Sequence, residues 1–181
     1  MRKTLAAATL AASIVAGGIV FAAPASAVGS CSDSFKDQFD VINPGNKPDQ
    51  TYYIENCADV TNGKVTGHSA TSWQMLDLQA IDLSKRFTSF KVTTRLEARS
   101  GPTAPDVDKV ITSKTCDLTE LVNKHYQYGA SDTDRASTCA APAATYDKNL
   151  WWSTDSTVVY DIEGDGKGPI TRQLTGSPLL H

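Results

Sequence analysis

The chain has 181 residues with 17 basic and 20 acidic side chains, and its hydrophobic fraction is 40%. That balance gives a net charge of −3 with no basic cluster, which argues against a nucleic-acid or anionic-membrane partner. Four cysteines and three histidines leave little scope for a metal cluster.

Arg2 and Lys3 form a short positive region, and Leu5 to Phe21 follows as an uncharged run rich in Ala, Val and Ile. Pro24 interrupts it, and Ala25-Ser26-Ala27 has the small-x-small form of a cleavage site. This order predicts a secretory signal peptide over residues 1–27. No positive stop-transfer cluster follows, so a retained membrane span is disfavoured. Val28-Gly29-Ser30-Cys31 has a lipobox outline, but it lies far from the apolar run and lipidation would leave three cysteines. The expectation is an exported, extracellular chain whose mature part, residues 28–181, forms a single domain with 15 basic and 20 acidic side chains. No later stretch is apolar enough to span a bilayer as a helix, so stable membrane insertion is not expected.

Cys31, Cys57, Cys116 and Cys139 contain no C-x-x-C pair, and no histidine stands at zinc-ligand spacing from them. An even count in an exported chain predicts two disulfides and no metal. Sequence does not select among the three pairings, although proximity favours Cys31–Cys57 and Cys116–Cys139. Each of those would close a loop of about 25 residues, worth about 3 kcal/mol through the unfolded state.

Phe35 and Phe39 permit a short helical turn that Asn43-Pro44-Gly45 ends. Thr51 to Glu55 is aromatic and β-branched, Asn62-Gly63 is a turn pair, and Lys64 to Asp82 has strand character, with Leu76, Leu78 and Ala80 alternating. The clearest strand is Phe90 to Ala98. Phe90, Val92, Thr94, Leu96 and Ala98 fall on one face, and Lys91, Thr93, Arg95 and Glu97 on the other. Arg99 to Asp108 reads as a loop, and Val110-Ile111 as a short strand. Asp117-Leu118-Thr119-Glu120 has the form of a capping box for a short helix with Leu118, Leu121, Val122 and His125 on its apolar side. Tyr128 to Tyr146 is small, polar and loop-like. Val158, Tyr160 and Ile162 alternate toward the Gly164–Gly168 turn, from which Ile170 to Thr175 returns. Six to eight strands and one helix predict an all-β fold, an antiparallel sandwich or small barrel with two disulfides.

Catalytic signals are sparse. Asp161 to Gly166 imitates the start of an EF-hand loop, but Glu163 stands at its third position and Arg172 at its twelfth, where a bidentate Glu belongs. G-x-S-x-G and H-E-x-x-H are both missing from the sequence. His68 and His125 are the available bases, and His125 suits packing better than proton transfer. No cofactor is called for.

Candidate binding residues stand out more. In a strand, the adjacent Trp151 and Trp152 point to opposite faces, which would leave one outward to anchor a partner or stack on a sugar; the plainer reading is that both are buried or half-buried. Arg99-Ser100 before Gly101-Pro102 is a trypsin-type pair on a stiffened loop, which a protease inhibitor would use. The Ala25-Ser26-Ala27 leader, four spaced cysteines, the all-β pattern and a C-terminal hairpin ending near Gly176-Ser177-Pro178 resemble small secreted proteins of filamentous actinobacteria. Among these the chain is similar to the adaptor subunit of umbrella toxin particles. The resemblance implies a non-enzymatic protein that joins a lectin-like subunit to a long repeat-bearing chain, with Val28 to Phe39 matching the lectin-docking segment. The expected function is a secreted protein-binding module whose partners are other secreted proteins. A protease inhibitor using Arg99, or a small hydrolase or sugar-binding module, is the alternative.

Overall fold

The computed structural model describes residues 28–76, 84–103, 107–124 and 136–181. The predicted signal peptide, Leu78, Ala80 and His125 lie outside the described residues. Two antiparallel sheets pack face to face. The first contains β1 (Val28–Cys31), β2 (Phe39–Val41), β3 (Gln50–Thr61), β4 (Lys64–Met75), β7 (Ala136–Ala140) and β8 (Ala144–Thr145). The second runs in the order β10 (Ile170–Gln173), β9 (Trp151–Ile162), β5 (Phe87–Arg99), β6 (Lys109–Asp117). A single short helix among the described residues, α1 (Thr119–Lys124), packs beside β5. The fold is therefore all-β, as the alternating pattern predicts.

The β3–β4 hairpin turns on Asn62 (φ 52°) and Gly63 (φ 70°), the left-handed pair that matches the twist of its strands. β5 extends three residues before the predicted start, and its inward face carries Phe90, Val92, Thr94, Leu96 and Ala98, all buried. β9 directs Trp152, Thr154, Ser156, Val158, Tyr160 and Ile162 inward.

Three readings change. Residues 34–37 form a turn leading into β2, because Phe39 and Val41 are recruited as core residues of an edge strand. Val110-Ile111 belongs to a nine-residue strand, β6, whose Lys- and Thr-rich sequence has weak apolar alternation because it is an exposed edge. The Tyr128–Tyr146 segment contains β7 and β8, which small residues conceal in the sequence. Ser69 opposite Cys139 and Val65 opposite Ala144 fix them against β4.

The disulfides are Cys31–Cys57 and Cys116–Cys139. The first ties β1 to β3 within one sheet. The second ties β6 to β7 across the sandwich and closes that side.

The interior is layered along the strands. At one end Phe39, Tyr52, Trp73, Phe87, Phe90 and Tyr160 form an aromatic cluster. At the other, Ala58, Val65, Leu96, Ala98 and Trp152 form a second, smaller one. Between them lies a belt of hydrogen-bonded polar side chains. The Asn56 side-chain oxygen Oδ1 accepts from Ser69 (2.7 Å) and from Ser156 (2.7 Å), and Thr94 shares its single hydroxyl proton between Ser69 Oγ (2.7 Å) and the Cys139 carbonyl (3.0 Å). Asn56, Ser69, Thr94 and Ser156 are fully buried. Such groups are tolerated inside because each finds a partner. Gly67 sits beside this belt, where a Cβ would meet the Thr154 hydroxyl at 2.4 Å.

Candidate docking surface

Trp151 and Trp152 separate as strand geometry requires. Trp152 is 2% exposed, packs in the smaller cluster and donates its indole N–H to the Asp147 carbonyl at 3.0 Å. Trp151 faces outward, half-buried, and stacks on His181 with ring centroids 4.4 Å apart. The C-terminal segment brings His181 there because Leu180 exchanges two backbone hydrogen bonds of 2.8 Å with Trp152.

Arg99 ends β5 directly opposite Trp151 on β9. Its guanidinium lies 3.5 Å from the Asp108 carboxylate, and its side chain is 19% exposed. The neighbouring strand supplies Val110, which stands opposite Glu97, and Ile111. Val107, Val110 and Ile111 are all exposed. Two of the three predicted partner-binding residues, Arg99 and Trp151, therefore meet at one corner of the second sheet, beside an apolar strip. Trp152 is not part of it. The strip was not legible in sequence, because Val107 falls in the predicted Arg99–Asp108 loop and Val110-Ile111 look like the core of a strand until β6 is known to be an edge.

The outer face next to this corner is a charge network. Arg95 donates to Glu97 (3.0 Å), to Asp155 (3.1 Å) and to Thr157 (2.7 Å). Glu97 is 7% exposed, and burial pushes its carboxyl up, against the hydrogen bond from Arg95. Every charged group there has an opposite partner, so the network braces β5 against β9 and positions the corner.

The remaining candidates have local roles. His68 lies 3.5 Å from Asp59, and no hydroxyl hydrogen-bonds to its ring among the described residues, so the pair lacks a nucleophile in contact. Tyr52 is core, Tyr53 faces outward and accepts from Gln74 (2.6 Å), and Trp73 packs on Tyr52. Among the described residues, the grouping with metal-ligand spacing is Cys31, Glu55 and Cys57, and both its sulfurs are consumed by the disulfide. In the Asp161–Gly166 stretch, Asp161 and Ile162 end β9 and the rest is a hairpin turn in which Asp165 accepts from the Lys167 N–H (2.9 Å).

No protein-family model matches the chain, and no curated protein or solved structure matches it.

Proposed function

We propose that the chain is an exported, non-enzymatic module that binds other secreted proteins and serves as an assembly component. The observation that carries this reading is the corner where outward-facing Trp151 and Arg99 adjoin exposed Val107, Val110 and Ile111. Tryptophan and arginine beside an apolar strip are the composition of protein-interface anchors. The leader-like residues 1–27 and two disulfides support an oxidising, extracellular setting. The resemblance to the umbrella toxin adaptor supports the same class of function, a subunit that joins others.

The inhibitor reading is weaker on geometry. Arg99 lies within a paired strand and its guanidinium is engaged by Asp108, whereas an inhibitory residue must project its side chain into a protease pocket. A sugar-stacking role would need an open indole face, and His181 covers one face of Trp151.

Capture from culture medium tests the proposal. Partners retained by the wild-type chain should bind Trp151→Ala at least about tenfold more weakly. Leu76→Ala, which removes another exposed apolar side chain outside residues 28–39 and away from the corner, should retain them. Equal capture by wild type and Trp151→Ala would refute docking at this corner.

A further inference from the structure

Among the described residues, β10 pairs with β9 on one side only. Leu174 N–H donates to the Ser156 carbonyl (3.1 Å), continuing the register that sets Gln173 opposite Thr157. Hydrogen-bonded pairs alternate along an antiparallel ladder. Arg172 and Ile170 therefore bond to β9, while Thr171, Gln173 and Thr175 turn their backbone groups to the open side. The Asp37 carboxylate already takes the Thr175 N–H, at 2.7 and 2.9 Å. Thr171 and Gln173 have no backbone partner on that side among the described residues.

The open side faces a two-part cleft. The wider part, of about 500 Å³, lies between Ile42–Pro44 and the β9–β10 hairpin. The narrower, of about 270 Å³, lies between Lys36–Phe39 and Thr171–Leu174. Ile42, 64% exposed, stands on the rim, and Tyr160, Ile162 and Ile170 line the wider part.

Two oxygens in its walls lack donors among the described residues. Asn43 is 6% exposed; its Nδ2 donates to the Pro48 carbonyl (2.7 Å), which fixes the amide orientation, and its Oδ1 is buried without a partner. Asp165 accepts the Lys167 N–H through Oδ1, and its Oδ2 is buried without a partner. A buried acceptor left unmade is costly, and a matching donor relieves that cost. Two cations line the wider part: Arg172, which lies 4.8 Å over the Phe39 ring and donates to the Tyr160 hydroxyl (3.2 Å), and Lys167, which gives its backbone N–H to Asp165 Oδ1. Neither cation hydrogen-bonds the two free oxygens, and the edge offers strand pairing.

We propose that this cleft takes an extended segment of a partner protein, added as a strand to the open edge of β10, with a lysine or arginine directed at Asp165 and Asn43. Backbone pairing supplies the affinity in such strand addition, and the side-chain pocket supplies selectivity. Asp37 marks where the added strand must stop, because the Thr175 N–H is already occupied. The site is separate from the Trp151 corner, and the two proposals stand or fall independently.

The test uses the full chain with its disulfides intact and two blocked heptapeptides of alternating valine and threonine, one with a central lysine and one with a central glutamate. Amide NMR should place the lysine peptide on Thr171 and Gln173, slow their hydrogen exchange, and give binding at least about tenfold tighter than the glutamate peptide. Asp165→Asn should erase that preference. Gln173→Pro removes an N–H that β9 does not use, so the fold should persist while binding is lost. Trp151→Ala should leave the titration unchanged. Equal affinity for both peptides, no saturable binding, or protection on β6 in place of β10 would overturn the proposal. So would concentration-dependent protection of Thr171 without peptide, which would make a second copy of the chain the occupant.

Discussion

Adjacent tryptophans give the sharpest contrast between residues of one type. Trp152 fills the smaller core cluster and Trp151 lies on the opposite face of β9. Trp152→Ala should lose about 3–5 kcal/mol of stability in urea unfolding, the range for a large buried aromatic. Trp151→Ala should lose no more than about 1.5 kcal/mol, the scale of an aromatic pair. Similar losses for both would mean that Trp151 is a packing residue. Two carboxylates give opposite pH dependences. The Asp117 carboxyl is held low, chiefly by its hydrogen bonding to Thr119, whose N–H it accepts at 3.0 Å. Its contribution is present above the ordinary carboxylate range and lost as pH falls through the lowered pKa. Glu97 is raised by burial, so the folded state holds its proton more tightly and stability falls as pH rises above about 4.5 toward its raised pKa. Glu97→Gln should flatten that fall in urea midpoints measured across the interval, and an unchanged slope would exclude Glu97 as its source.

Among elements, the polar belt and the second disulfide hold the sheets together. Asn56 binds Ser69 and Ser156 through Oδ1 and donates to the Thr175 carbonyl (2.8 Å), so it joins β3, β4, β9 and the C-terminal segment. Asn56→Ala should strand buried hydroxyls and cost about 3 kcal/mol or more by denaturant unfolding. A loss below about 1 kcal/mol would show that the belt is dispensable. Removing Cys116–Cys139, with its separation of 23 residues, should cost about 3 kcal/mol. Cys31 is exposed whereas Cys139 is 1% exposed, so limited reductant should open Cys31–Cys57 first, as mapped by alkylation and mass spectrometry. α1 is a minor brace: Asn123 binds the Phe87 carbonyl (2.9 Å) and accepts from the Arg86 and Phe87 N–H groups (2.7 and 3.0 Å).

For the molecule as a whole, the layering places two surfaces at opposite ends of β9. Trp151 begins that strand at the proposed docking corner, and Tyr160 and Ile162 end it in the cleft. Twelve extended residues separate the surfaces by roughly 35 Å. Partners at the two sites would not overlap, which suits a subunit that joins two others. A corner partner and the lysine heptapeptide should therefore bind the same molecule together, with a mass in native mass spectrometry equal to all three. Mutual exclusion would remove the joining role.

The alternating strands, the Asn62-Gly63 and Gly164–Gly168 turns, the α1 start and the nearer pairing of cysteines were legible in the sequence, because each is a local pattern of period, turn residue or spacing. That Trp151 and Trp152 face opposite ways was legible as well, since neighbouring residues of a strand alternate, but which of them fills the core was not. What tertiary structure decided is long-range. It made β6 an exposed edge, recruited the small residues of β7 and β8 into the first sheet, and set Arg99 opposite Trp151. It also gathered Asn56, Ser69, Thr94 and Ser156 from four strands into one buried belt, and left β10 with an open side. None of these follows from a local pattern, because edge status, cross-sheet contact and hydrogen-bond satisfaction depend on which distant strand arrives as a neighbour.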